Sequence, residues 1–284
     1  LVEDGPWLAE PPAMFEPSDL VWRDAAGLQA LADALARQPL PLRLARVPAA
    51  SPTIAALRRA YAGRGIVRLR EAMPTPAVDL APFRADPDAG FNAGRRSDFR
   101  RLERRAAALG EVRYEIHAPA GPADLEPLLA EAYAVDAASW KEVAGTALTA
   151  DRRQGDFFRH FAAAAAREGM LRVAFLRLGG RAAAMQIAAE WQGRFWLLKI
   201  SHDQALAPCS PGQLLLRHTL AHAARTGLAS YEFMGVMAPW TELWTRQVRR
   251  YVAVSAIPFS RPVLALAARR GAQAIIHRLR RILP

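Results

Sequence analysis

Over residues 199–227 the chain reads KISHDQALAPCSPGQLLLRHTLAHAARTG, and a strand-like run gives way to an amphipathic helix across Pro208, Cys209, Ser210, Pro211 and Gly212. Proline at a first helical position gives up an N–H that has no intrahelical partner anyway, and the glycine behind it adds no side chain. Such a start leaves first-turn amides open at the positive end of the helix dipole, which suits an anion. Other chemistry-bearing residues are sparse. Cys209 is the only cysteine, so an intrachain disulfide and a cysteine-built metal site are excluded and a reducing cytoplasm is the default. Its thiol beside a helix start is a candidate for a lowered pKa, but no histidine–carboxylate relay accompanies it, and an incidental role is expected. His218 and His222 stand at i,i+4 spacing without the glutamate of H-E-x-x-H, so no metal is expected.

The charge balance is +11, and Lys141 and Lys199 are the only lysines in an arginine-rich chain. Such a surplus attracts nucleic acid, anionic lipid or a phosphorylated cofactor; an Arg- and Ala-rich composition explains it equally well. Hydrophobic residues make up 52% of the sequence, enough for a buried core, while no apolar run reaches the length of a spanning helix. We therefore expect a cytoplasmic protein with no stable membrane insertion. The chain starts at Leu1, without a signal-like segment.

The elements that must position the helix start follow from periodicity. An irregular, proline-rich passage of forty residues, with one helical patch at Leu28–Arg37, leads to a strand at 41–47, a helix opened by Ser51 and Pro52 and stopped by Gly63, and a strand at 66–71. Residues 74–92, rich in proline and aspartate, read as a linker or lid. Helices are expected at 95–110, 122–140 and 156–169, with a strand at 111–117 between the first two. Three strands, 171–178, 181–191 and 194–201, are joined by Gly179-Gly180 and Gln192-Gly193, the signature of an antiparallel meander. The helix 211–226 then precedes a strand at 229–235, so that pair is expected to be parallel. A short helix at 239–247, a strand at 249–257 and a basic helix at 261–283 close the chain. Where antiparallel pairing changes to parallel, neighbouring strands can splay and expose unpaired amides beside the crossover helix. That arrangement favours an anion and a polarised carbonyl.

With these blocks in order, the chain resembles the GNAT superfamily of acyltransferases, and more closely the bacterial CelD-like group related to the Fem peptidyltransferases. The resemblance rests on SWKEVAGTAL (139–148), LRVAFLRLGGRAAAMQIAAEWQGRFWLLKISHD (171–203), SPGQLLLRHTL (210–220) and GLASYEFMGVMAPWTELW (227–244). It implies an α+β fold with a GNAT-like mixed sheet, combining the meander with one parallel crossover. It further implies a tandem: a degenerate N-terminal half over 1–93, a complete GNAT domain over 94–258 and a basic helix over 259–284.

The activity implied is N-acyl transfer, in the first instance of acetyl, from acetyl-CoA or another acyl-CoA to an amine of a small molecule, sugar or polysaccharide precursor. The donor would lie in the splay along Leu198, Lys199 and Ile200, with its pyrophosphate on Ser210 and the amides of Gly212, Gln213 and Leu214. Amine acylation needs a base, and Asp203, Glu232 and His202 stand at or near the flanking strand ends. Trp140 and Lys141 would line the acceptor pocket. The usual signature Arg/Gln-x-x-Gly-x-Gly/Ala is absent and only Ser-Pro-Gly remains, so two alternatives stay open. One is a Fem-like ligase using aminoacyl-tRNA, the other a catalytically inactive scaffold that binds through its C-terminal basic helix.

Overall fold

The structure, a computed structural model, describes residues 18–261 and 263 and the short stretches 2–4 and 7–9. In chain order its elements are β1 (Val2–Asp4), β2 (Trp7–Ala9), α1 (Ala25–Ala36), β3 (Leu42–Pro48), α2 (Pro52–Ala60), β4 (Gly65–Asp79), α3 (Ala93–Ala107), β5 (Val112–His117), α4 (Pro122–Ala137), α5 (Trp140–Val143) and α6 (Arg152–Arg167). They continue as β6 (Leu171–Leu178), β7 (Arg181–Trp191), β8 (Arg194–His202), a 3-10 helix (Gln204–Cys209), α7 (Pro211–Arg225), β9 (Ser230–Glu232), α8 (Pro239–Glu242) and β10 (Val248–Pro258). Among the described residues no helix is long and apolar enough to cross a membrane.

The chain divides into two units, one of Leu1–Thr75, Gly235–Met237 and Val248–Pro284, the other of Pro76–Met234 and Ala238–Gln247. In the first, the strand order is β1-β2-β3-β10-β4, with β2 parallel and β10 antiparallel to β3. Asp24 and Ser51 cap α1 and α2, and both helices bury apolar faces with Leu42, Leu44 and Val47.

In the second unit the order is β4-β9-β8-β7-β6-β5. The expected meander forms, with β5 to β8 antiparallel neighbour to neighbour. Its two hairpins turn through Gly179-Gly180 and Gln192-Gly193, all at positive φ, as two-residue turns of the primed types require. The expected crossover is also present: β9 pairs parallel to β8 after α7 has carried the chain across. β7 is buried from Ala182 to Ala189 without alternation, so both of its faces are covered. Small alanines there let helices approach closely, and α4 and α7 both pack across β6, β7 and β8.

Several expectations change. Residues 74–92 are not a linker or lid. β4 runs on through Pro74 and Pro76 to Asp79, and Leu80, Phe83 and Phe91 are buried in the core of the second unit. Phe91 packs edge-on to Trp244, 5.4 Å between ring centroids, so apolar burial outweighs the turn-forming composition around it. The unit boundary consequently falls at 75/76 rather than 93/94, and β10 joins the first unit instead of closing a domain over 94–258. The strand expected at 229–235 shrinks to Ser230–Glu232 and the helix at 239–247 to Pro239–Glu242. The basic helix expected at 261–283 lies outside the described residues, save its first positions.

Candidate functional site

β9 pairs with β8 only through Arg194↔Ser230, Phe195↔Tyr231 and Trp196↔Glu232. β8 then continues to His202, while Phe233 sends its N–H to the Pro76 carbonyl and Met234 and Gly235 turn through positive φ. The two strands therefore part after three residues. A β-bulge at Leu198, the extra residue between Leu197↔Ala188 and Lys199↔Ile187, bends β8 at the same point.

The start of α7 stands at this gap. Ser210 is left-handed (φ 50°, ψ 54°), an uncommon conformation for serine, and its hydroxyl makes no cap bond. Gln213 and Leu214 return their amides to the Ser210 carbonyl, at 3.0 and 3.2 Å. Of the three amides expected to meet a phosphate, Gly212 alone has no intrahelical acceptor, being the second residue of the helix. A Cβ on Gly212 would meet His202 Nδ1 at 3.6 Å, so the imidazole stands against this first turn.

A cavity of about 410 Å³ occupies the gap. Among the expected residues, Trp140, Lys141, Ile200 and His202 line it, joined by Ser210, Gly212 and Gln213 from the α7 start. Burial, and after it the nearby Lys141 charge, lower the His202 pKa against the opposing pull of Asp203, so the ring is a neutral base at neutral pH. Gln213 accepts from Trp244 Nε1 at 2.8 Å, which fixes its amide.

The other expected residues lie elsewhere. Asp203 caps the 3-10 helix through the Ala205 amide (2.9 Å) and pairs with Arg181. Glu232, almost fully buried, accepts from Ser230 Oγ at 2.7 Å with Arg194 at 3.8 Å. Neither carboxylate lines the cavity, so the structure gives both a structural partner where a base was expected. Leu198, Lys199 and Leu214 are outside the lining as well. Lys199 donates to Gln154 Oε1 at 2.5 Å. Cys209 is buried, and burial raises its pKa, opposite to the expected lowering. His218 stacks on Tyr114 and His222 faces Glu190 Oε1 at 3.2 Å, so the two imidazoles have separate partners.

Sequence reasoning missed Met185, Gln186, Ser201 and Trp240 in the lining, and Asp136 behind it. Gln186 accepts from Tyr231 OH at 3.4 Å. Ser201 is 6% exposed and its Oγ has no hydrogen-bond partner among the described residues. Asp136, 0% exposed at the end of α4, accepts the Leu148 amide at 2.7 Å and Lys141 Nζ at 3.3 Å. Lys141 also donates to the Ile200 carbonyl, filling one of the backbone groups exposed by the parting strands. The available signal was Lys141 itself, one of two lysines among so many arginines.

The family described as the acetyltransferase (GNAT) domain matches residues 93–242. Solved structures with a similar fold include the C-terminal domain (DUF2156) of a putative lysylphosphatidylglycerol synthetase from Agrobacterium fabrum, at 12% identity and TM-score 0.55, covering 85% of this chain and 75% of that one. FemX is similar at 11% identity and TM-score 0.54, covering 85% and 79%. A conserved protein of unknown function from Bacteroides thetaiotaomicron VPI-5482 is similar at 12% identity and TM-score 0.53, covering 81% and 74%. At these identities the likeness is one of fold. No curated protein matches the chain in sequence.

Proposed function

We propose, for a chain that belongs to the acetyltransferase (GNAT) domain family, that it transfers an acyl group, in the first instance acetyl, from an acyl-CoA to an amine of a small molecule, sugar or polysaccharide precursor. One observation carries the reading: the open start of α7 and the part of β8 that β9 leaves unpaired share a single cavity. The residues present fit such a donor. Gly212 offers an amide at the positive end of a helix, and the buried Ser201 hydroxyl has no partner among the described residues. The cavity volume lies in the usual range of small-molecule sites, about 300–1,000 Å³.

When bound, the donor supplies a carbonyl carbon activated by its thioester. The rest falls to this chain. His202 takes a proton from the amine as the nitrogen–carbon bond forms and the carbon–sulfur bond breaks, solvent returning a proton to the departing sulfur. Asp203 positions His202 by locking the turn that follows β8. Trp140 and Trp240 supply apolar walls. We place this chemistry in the cytoplasm, and read the first unit as a diverged GNAT-like half.

Thermal unfolding with coenzyme A and acetyl-CoA tests the proposal. A melting temperature that climbs with either ligand supports it. No shift with any acyl-CoA, together with no thioester found by mass spectrometry in the purified protein, ends it.

A second donor, aminoacyl-tRNA, is favoured by α3, which exposes Arg96, Arg100, Arg101, Arg104 and Arg105 on one basic helix. Salt-sensitive tRNA binding without any response to coenzyme A selects it.

A further inference from the structure

The chain has two lysines, and the fold brings both to one carboxylate. Asp136 Oδ1 lies 3.3 Å from Lys141 Nζ and Oδ2 lies 3.7 Å from Lys199 Nζ. Lys199 is engaged further by Gln154 and by the Thr146 carbonyl. Lys141 differs. An ammonium carries three donors, of which one goes to Asp136 and one to the Ile200 carbonyl. Lys141 lines the cavity, and among the described residues its third N–H has no acceptor. The Ile200 carbonyl belongs to the peptide that joins Ile200 to Ser201, so the ammonium is held beside Ser201. There the buried Oγ has no partner among the described residues, and Ser201 is one of the residues of the same cavity wall.

We propose that Lys141 and Ser201 are the side-chain donors that hold the oxygen of the reacting carbonyl as it gains negative charge. The assignment rests on the acyl-transfer reading above. The groups facing Lys141 are Asp136 from α4 and Lys199 and His202 from β8. Asp136 is occupied by two lysines and an amide, and no carboxylate is among the lining residues, whose polar side chains are those of Lys141, Ser201, His202, Gln186, Gln213 and Ser210. That set favours developing negative charge and disfavours an incoming ammonium, which must surrender its proton first. Arginine is not equivalent here: its larger, planar guanidinium spreads its donors in one plane, whereas the compact ammonium directs three donors tetrahedrally from a single nitrogen. The division of labour is complete, with His202 handling the proton and Lys141 with Ser201 handling the oxygen.

The test uses the full chain labelled with nitrogen-15 lysine, which gives two Nζ resonances. S-acetonyl-coenzyme A carries an unreactive ketone, and S-ethyl-coenzyme A lacks the carbonyl. The ketone is expected to move the Lys141 resonance and leave Lys199 in place, and the ethyl compound to move neither. Lys141→Met and Lys141→Arg should each lower acetyl transfer about 100-fold or more, with binding of free coenzyme A within about three-fold of wild type, and Ser201→Ala should lower it about ten-fold. Binding of the ketone, measured by calorimetry, with the Lys141 resonance unmoved overturns the assignment and leaves the acyl-CoA reading standing. Failure of both compounds to bind ends the acyl-CoA reading and this assignment with it.

Discussion

Trp196 and Glu232 are the last register pair between β8 and β9. One residue further along β8, the chain meets no strand partner on that edge among the described residues, and the α7 start stands across the gap. Backbone groups are costly to leave unmet in a protein interior, so a gap of this kind persists where something else satisfies them. Lys141 does so for the Ile200 carbonyl, and a ligand is proposed for the remainder.

Gly212 should tolerate a methyl group but not a branched side chain. Its Cβ would stand 3.6 Å from His202 Nδ1, ordinary contact, so Gly212→Ala should keep the melting temperature. Gly212→Val places a stiff branched group over the open amide and should weaken coenzyme A about ten-fold. Equal affinities for the two variants in calorimetry would remove the phosphate from this helix start.

His202 and Asp203 separate by pH profile. His202→Gln should lower the rate about 100-fold or more and abolish the acid limb. Asp203 raises the His202 pKa, so Asp203→Asn should shift that limb to lower pH while keeping the cap, because an asparagine Oδ1 accepts the Ala205 amide as the carboxylate does. An acid limb that disappears in Asp203→Asn would make Asp203 the base.

Lys141 should leave a signature in stability. Burial lowers its pKa from 10.5 to about 8, Asp136 pulling upward and Lys199 adding to the fall. Between those values the unfolded chain holds a proton that the folded chain has lost, so stability rises as pH climbs from 8 to 10.5. The gain is on the order of 2–3 kcal/mol. Urea titrations across this window should show it in wild type and not in Lys141→Met; parallel curves would contradict the burial of the ammonium.

The segment after β4 should behave as core. Phe91 packs with Phe83, Phe99 and Trp244, and Arg217 on α7 clasps Asp88 through two bonds of 2.9 and 2.8 Å. Phe91→Ala should cost about 3–5 kcal/mol. A loss below about 0.5 kcal/mol in urea unfolding would return residues 80–91 to the status of a linker.

Much of the fold was legible in local pattern. The meander followed from strand-like apolar runs broken by Gly179-Gly180 and Gln192-Gly193, and the parallel pairing of β8 with β9 from the length of the helix between them. Ser210, Pro211 and Gly212 mark the helix start in the sequence, and His202, Trp140 and Lys141 are sequence candidates that line the cavity with it. Residues 74–92 misled because proline and aspartate signal turns, while the burial of Phe83 and Phe91 depends on distant Trp244.

Sequence by itself determined the meander strands, the crossover helix and the positive helix tip, because these depend on neighbours close in the chain. Tertiary structure decided which titratable groups face the ligand. In the sequence Asp203 and Glu232 are good candidates; in the fold Arg181, Ser230 and Arg194 engage them. Asp136 and Ser201 gave no local signal, since a carboxylate between two lysines and an unmet hydroxyl beside a cavity exist only once β8, α4 and α5 have packed together. Local order is written by short-range sterics and periodicity; the protonation and pairing of a buried group are set by whatever the fold places around it.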